Sequence, residues 1–169
     1  MKSYLIIPCL LFAMNVAAQN PVAVQKEKMK DANLLAGTWT GEGWMIMQDG
    51  VKHPFNQTET VTAQMDGGLL TIAGNGKDQK TGKSIHSAFT IFTYDNAKQN
   101  YRWTAMAFGY VADITPEVKP GSLVWSLPGR GGLTRFTINY TGNEWVEKGE
   151  ISTDNGQSWV QNFEMHLKK

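Results

Sequence analysis

Leu34-Leu35-Ala36-Gly37-Thr38-Trp39-Thr40-Gly41-Glu42-Gly43-Trp44 reads as the opening strand of a small β-barrel. Side chains alternate along a strand, so Gly37, Trp39, Gly41 and Gly43 share one face. Three glycines beside one indole let a strand bend sharply over the ring, as at a barrel corner or bulge. The other face carries Glu42, Trp44 and Ile46. Glu42, set between two glycines, is a candidate acid or base if burial raises its pKa, and a rim carboxylate paired with a lysine if it does not.

Upstream lie Lys2, the apolar run from Tyr4 to Met14 and the small residues Val16-Ala17-Ala18. That is the anatomy of a signal peptide cleaved before Gln19. The run is too short for a permanent membrane span. The expected division is a signal peptide at 1–18, a lead-in at 19–33 and a barrel domain at 34–169, with export to the periplasm or the medium. Residues 22–34 follow no clean apolar period and predict a short helix or coil. Removing the signal leaves roughly 150 residues, one domain's worth. Cys9 is the only cysteine and falls inside the signal. A disulfide, a thiol nucleophile and a thiolate metal site are therefore not expected in the mature chain. With 16 Lys+Arg against 15 Asp+Glu and no basic stripe, nucleic-acid binding is disfavoured.

Downstream, strand-like runs alternate with turn chemistry. Asp66-Gly67-Gly68 separates Glu59–Met65 from Leu69–Ala73 and signals a hairpin. A polar loop from Asn75 to Gly82 precedes Ile85–Tyr94, and Asp95-Asn96-Ala97-Lys98 turns the chain into Tyr101–Phe108. The stretch from Tyr110 to Gly121, with Pro116 and Pro120, reads as irregular, a lid or a crossing loop. Leu123–Leu127, Leu133–Tyr140, Glu144–Ile151 and Trp159–Leu167 follow. The expected class is all-β: a single antiparallel up-and-down β-barrel of about 8–10 strands.

Gly37-Thr38-Trp39 is similar to the Gly-x-Trp signature of the lipocalin-like, or calycin, barrels. The whole mature chain resembles an uncharacterised bacterial family of lipocalin-like domains of unknown function. The likeness rests on Gly37 to Gly43, on Gly67-Gly68-Leu69-Leu70, on Thr93-Tyr94-Asp95, and on Ser152-x-Asp154-x-Gly156-x-x-Trp159 before a final strand with a basic end. It implies a barrel with a central cavity and no assigned reaction. Two departures stand out: Tyr94-Asp95 inverts the usual Asp-Tyr order, and Lys168 and Lys169 lie where lipocalins carry an Arg over the Trp. A lysine stem can still stack on Trp39.

Ser152 to Trp159 also matches the Asp-box of sialidase propellers, but a propeller needs several copies and this chain has one. It reads as a hairpin in which Asp154 caps amides, Gly156 takes a positive φ and Trp159 packs beneath. The segment from Gly76 to Ser84 is one residue too long for a phosphate loop and leads into a strand. No Gly-x-Ser-x-Gly elbow is present, so no catalytic residue is assigned. Of the three histidines, His53 precedes Pro54 in a polar loop, and His166 lies opposite Phe163 and Met165. His86 lies within a strand. A metal or haem ligand needs an imidazole facing a cavity, and the calycin resemblance implies haem on a barrel-strand histidine as an alternative, through His86 or His166. No other cofactor and no metal are expected.

Trp39, Met45, His86, Trp103, Trp125 and Tyr140 are the candidate ligand-binding residues, since aromatic and thioether side chains fit irregular apolar molecules. Met47, Met65 and Met106 are further thioethers that fit either a cavity wall or an ordinary core. An eight-stranded barrel is near the size that is either filled by side chains or holds one small ligand. Three readings stay open: a barrel binding a small hydrophobic molecule, a structural or partner-binding module with a filled core, and a small calycin-type enzyme using Glu42 or His86.

Overall fold

Strand β1 (Gly37–Ile46) curves because two of its inward positions carry no side chain. A Cβ on Gly41 would collide with the His166 carbonyl oxygen, and one on Gly43 would lie 2.5 Å from that of Glu164. The two glycines let β1 press close over the last strand. The computed structural model describes residues 20–129 and 131–169, so the signal peptide assigned to 1–18 lies outside the described residues.

Ten more strands follow. They are β2 (Lys52–Gln64), β3 (Leu69–Asp78), β4 (Ser84–Asp95), β5 (Asn100–Ala107) and β6 (Tyr110–Ile114). Then come β7 (Glu117–Lys119), β8 (Ser122–Gly129), β9 (Gly132–Tyr140), β10 (Glu144–Ser152) and β11 (Val160–Lys168). All pairings are antiparallel, in one sheet ordered β6-β5-β4-β3-β2-β1-β11-β10-β9-β8-β7. The sheet curls until β6 comes against β8. No backbone ladder joins them; Trp103 on β5 and Trp125 on β8 stack across the gap, centroids 5.7 Å apart and planes 25° from parallel. The fold is an all-β, calycin-like barrel with an unzipped seam.

The strand total exceeds the expected eight to ten because the segment from Tyr110 to Gly121 is ordered as β6 and β7. Phe108 and Gly109 both take positive φ, 53° and 78°, which makes a two-residue hairpin of the primed type between β5 and β6. Pro120 and Gly121 (φ 69°) turn β7 into β8. The prolines mark corners rather than a lid.

The lead-in is part of the core. Asn20 accepts a hydrogen bond from the Val22 amide and Pro21 opens helix α1 (Pro21–Met29), a favourable start on both counts. A 3-10 turn, Ala32–Leu35, follows. Met29, Ala32 and Leu35 are buried and stop one end of the barrel. Leu35 offers its carbonyl to the Trp39 indole N–H at 2.6 Å, and Asp31 Oδ2 accepts from the Tyr140 hydroxyl at 2.6 Å and the Gly121 amide at 2.9 Å. Lys169 places its ammonium 4.6 Å from the Trp39 ring centroid and donates to the Leu34 carbonyl. The lysine thus covers the indole as the stacking expectation requires.

The Asp-box is a turn between β10 and β11. Asp154 accepts from the Ser152 and Ser158 hydroxyls and the Ser158 amide, and these bonds hold its carboxyl down at about 2. Gly156 sits at φ 88° and Trp159 lies under the Arg135 guanidinium at 4.0 Å.

Candidate functional site: a cavity with two buried carboxylates

The inward faces of ten strands surround a cavity of about 890 Å³, so the barrel interior is open rather than filled. One wall is a run of aromatic rings. Trp125 and Phe136 face each other in register on β8 and β9, 4.3 Å apart, with Trp103 stacked behind Trp125. Phe163 of β11 meets Phe136 edge-on at 5.7 Å. That contact depends on Gly149, which stands between them on β10: a Cβ there would lie 2.8 Å from Phe163 and 2.9 Å from Phe136.

Toward the stopped end the lining becomes polar. Glu59 on β2 pairs with Trp39 on one side and Gly74 on the other. Gly74 gives the Glu59 side chain its place, since a Cβ there would collide with the Glu59 carboxylate. Glu147 on β10 lies two residues from Trp145, whose ring meets Trp39 edge-on at 5.8 Å. Gln57 donates to Glu59 Oε1 at 2.6 Å, and the Trp145 indole donates to Glu147 Oε2 at 3.3 Å. Burial lifts the Glu59 carboxyl to about 7. Burial, with repulsion from Glu59 added, lifts Glu147 to about 8. Near neutral pH the pair therefore exchanges protons instead of holding two fixed charges.

Four of the six candidate residues, Met45, His86, Trp103 and Trp125, line the cavity. Trp39 and Tyr140 do not line it: they are buried in the stopper, held by Leu35 and Asp31. His86 is half-buried beside Phe108, its Nδ1 has no partner, and burial lowers its pKa so that the ring stays neutral. His166 is exposed and bonded to Glu164 at 2.7 Å, and His53 pairs with Asp49 at 2.8 Å; neither faces the interior. Glu42 is exposed on the outer face, so the acid–base role considered for it has no cavity to serve. Met47 and Met65 are exposed and Met106 lies on an outer groove.

The sequence reading missed Glu59 and Glu147. A signal for each was present: alternation from Phe55 and Val61 puts Glu59 inward, and alternation from Trp145 does the same for Glu147. Among the described residues no cluster of His, Cys, Asp and Glu is arranged to hold a metal, and no helix is long and apolar enough to cross a membrane.

An antiparallel sheet curled around a stoppered cavity defines the lipocalin-like, or calycin, class of barrel. Solved structures similar to it include the following two. One is Rv2717c from M. tuberculosis, with a TM-score of 0.62 and 11% identity over 89% of this chain and 98% of that one. The other is the S-type phycobiliprotein lyase CPES from Guillardia theta, with a TM-score of 0.55 and 11% identity over 87% of this chain and 93% of that one. At such identity the likeness is one of fold. No family model and no curated protein matches the chain.

Proposed function

We propose that this chain is an exported barrel, periplasmic or extracellular, that binds one small, mostly apolar molecule in its interior. The observation that carries the reading is the cavity itself. Its volume of about 890 Å³ lies within the range of small-molecule sites, and it pairs apolar walls with a few placed polar groups. The similar fold of a phycobiliprotein lyase supports an interior put to use. Membership in the uncharacterised lipocalin-like family is part of the same reading and rests on Gly37 to Gly43 and on the Ser152 to Trp159 turn.

The test is native mass spectrometry of the protein exported from a bacterial host, followed by titration of an apolar ligand panel into the parent and Trp103→Ala. A mature mass beginning at Gln19, and ligand binding that weakens in Trp103→Ala, are expected. Equal binding by both proteins overturns the cavity assignment. A second reading, haem held by His86, is favoured by one observation, the imidazole on the cavity wall whose Nδ1 has no hydrogen-bond partner. A haem absorption band that survives in His86→Ala overturns it.

A further inference from the structure

We infer that the cavity selects a cation: an apolar skeleton whose buried end is a protonated amine, received between Glu59 and Glu147. This rests on the binding-barrel reading and names the ligand class for the same site.

The titratable side chains lining the cavity are Glu59, His86, Tyr110, Asp113 and Glu147, with no Lys or Arg among the described residues. Asp113 already has partners, Thr104 at 2.6 Å and Arg102 at 3.8 Å. Each of the two glutamates has one donor and no ion-pair partner among the described residues. Each accepts its bond on one oxygen, from a neighbour two residues away along its own strand. They are 6% and 8% exposed. A buried acid pair that served only the fold would be bonded across the barrel or backed by a basic residue. This pair is neither, and Gly74 leaves the space that the Glu59 carboxylate occupies.

A second group points to the same vacancy of partners. Trp103 is 4% exposed on the cavity wall, and its indole N–H has no acceptor. The Trp125 N–H, on the same wall, is likewise unpartnered. Two donors and two carboxylates together fit a ligand with a cationic nitrogen at one point and an acceptor oxygen at another. A fatty acid fits less well, since its carboxylate would compete for charge in a dry site whose own two carboxyls already suppress each other's ionisation.

Three naphthalene probes of matched size separate the possibilities: naphthylethylamine, naphthylethanol and naphthylacetate. Each is titrated by calorimetry at pH 7 in two buffers of different ionisation enthalpy. The amine is expected to bind at least about tenfold more tightly than the alcohol, and the acid more weakly than either. Amine binding is also expected to release protons from the pair, which the two buffers report on the unmodified protein. In Glu59→Gln/Glu147→Gln the amine loses its advantage over the alcohol. If the alcohol binds as well as the amine, or the acid binds best, the cation inference falls while the binding barrel stands. If none of the three binds, both fall.

Discussion

Replacing Glu59 and Glu147 together by Gln tests the energetics of the site without any ligand. In the unfolded chain both carboxyls titrate at their ordinary value of 4.5, whereas in the barrel they titrate at about 7 and about 8. Between those limits the folded protein holds protons that the unfolded chain has released, so stability is greatest below pH 4.5 and falls as pH rises through 7 and 8. At about 1.4 kcal/mol per unit, the two groups together remove ~1.5 kcal/mol between pH 7 and pH 8.5. His86 acts in the opposite sense, since its lowered pKa favours the folded state as pH rises, but its unfolded value of 6.5 already lies below that window and leaves it only a small share of the change. Urea unfolding of the parent at the two pH values should therefore show its midpoint move down by ~0.5–1 M. The double variant should show no such movement. A parent equally stable at both values, or a double variant that falls as steeply, refutes the placement of the pair in a dry interior.

Two further substitutions probe the frame around the site. Asp31→Ala removes the acceptor shared by Tyr140 and Gly121 and leaves a buried hydroxyl unpaired, so it should cost ~2–3 kcal/mol; an unchanged melting temperature would show that the lead-in does not hold the barrel end. Gly74→Ala drives a methyl into the Glu59 carboxylate and should cost ~1–3 kcal/mol at pH 5, where that group is protonated, with the loss read from thermal melting; an unaffected protein would mean that Glu59 points elsewhere.

The barrel was legible because its signals are local. Gly41, Gly43 and Trp39 alternate within a few residues, and Asp154, Gly156 and Trp159 form a turn from their own neighbours. What escaped the sequence depends on residues far apart along the chain. Tyr140 carries the same aromatic character as Trp125, yet Asp31, from the lead-in, claims its hydroxyl and takes it out of the cavity. Met29, Ala32 and Leu35 form no single helical stripe because a helix and a 3-10 turn divide them. The hairpin at Phe108-Gly109 hides behind a residue that seldom adopts positive φ. Glu59 and Glu147 matter as a pair, and only the curl of the sheet brings β2 and β10 to face one interior.

The seam between β6 and β8 gives the barrel a mechanical joint. A sheet laddered all the way round has a circumference fixed by its hydrogen bonds, and widening it means breaking them. Here one side is held by the stacked indoles of Trp103 and Trp125, which can slide or part at the cost of dispersion contacts alone. The girth of the container is thus set on that side by ring contact, at the wall of the cavity, whereas the end that carries Glu59 and Glu147 is closed by the lead-in.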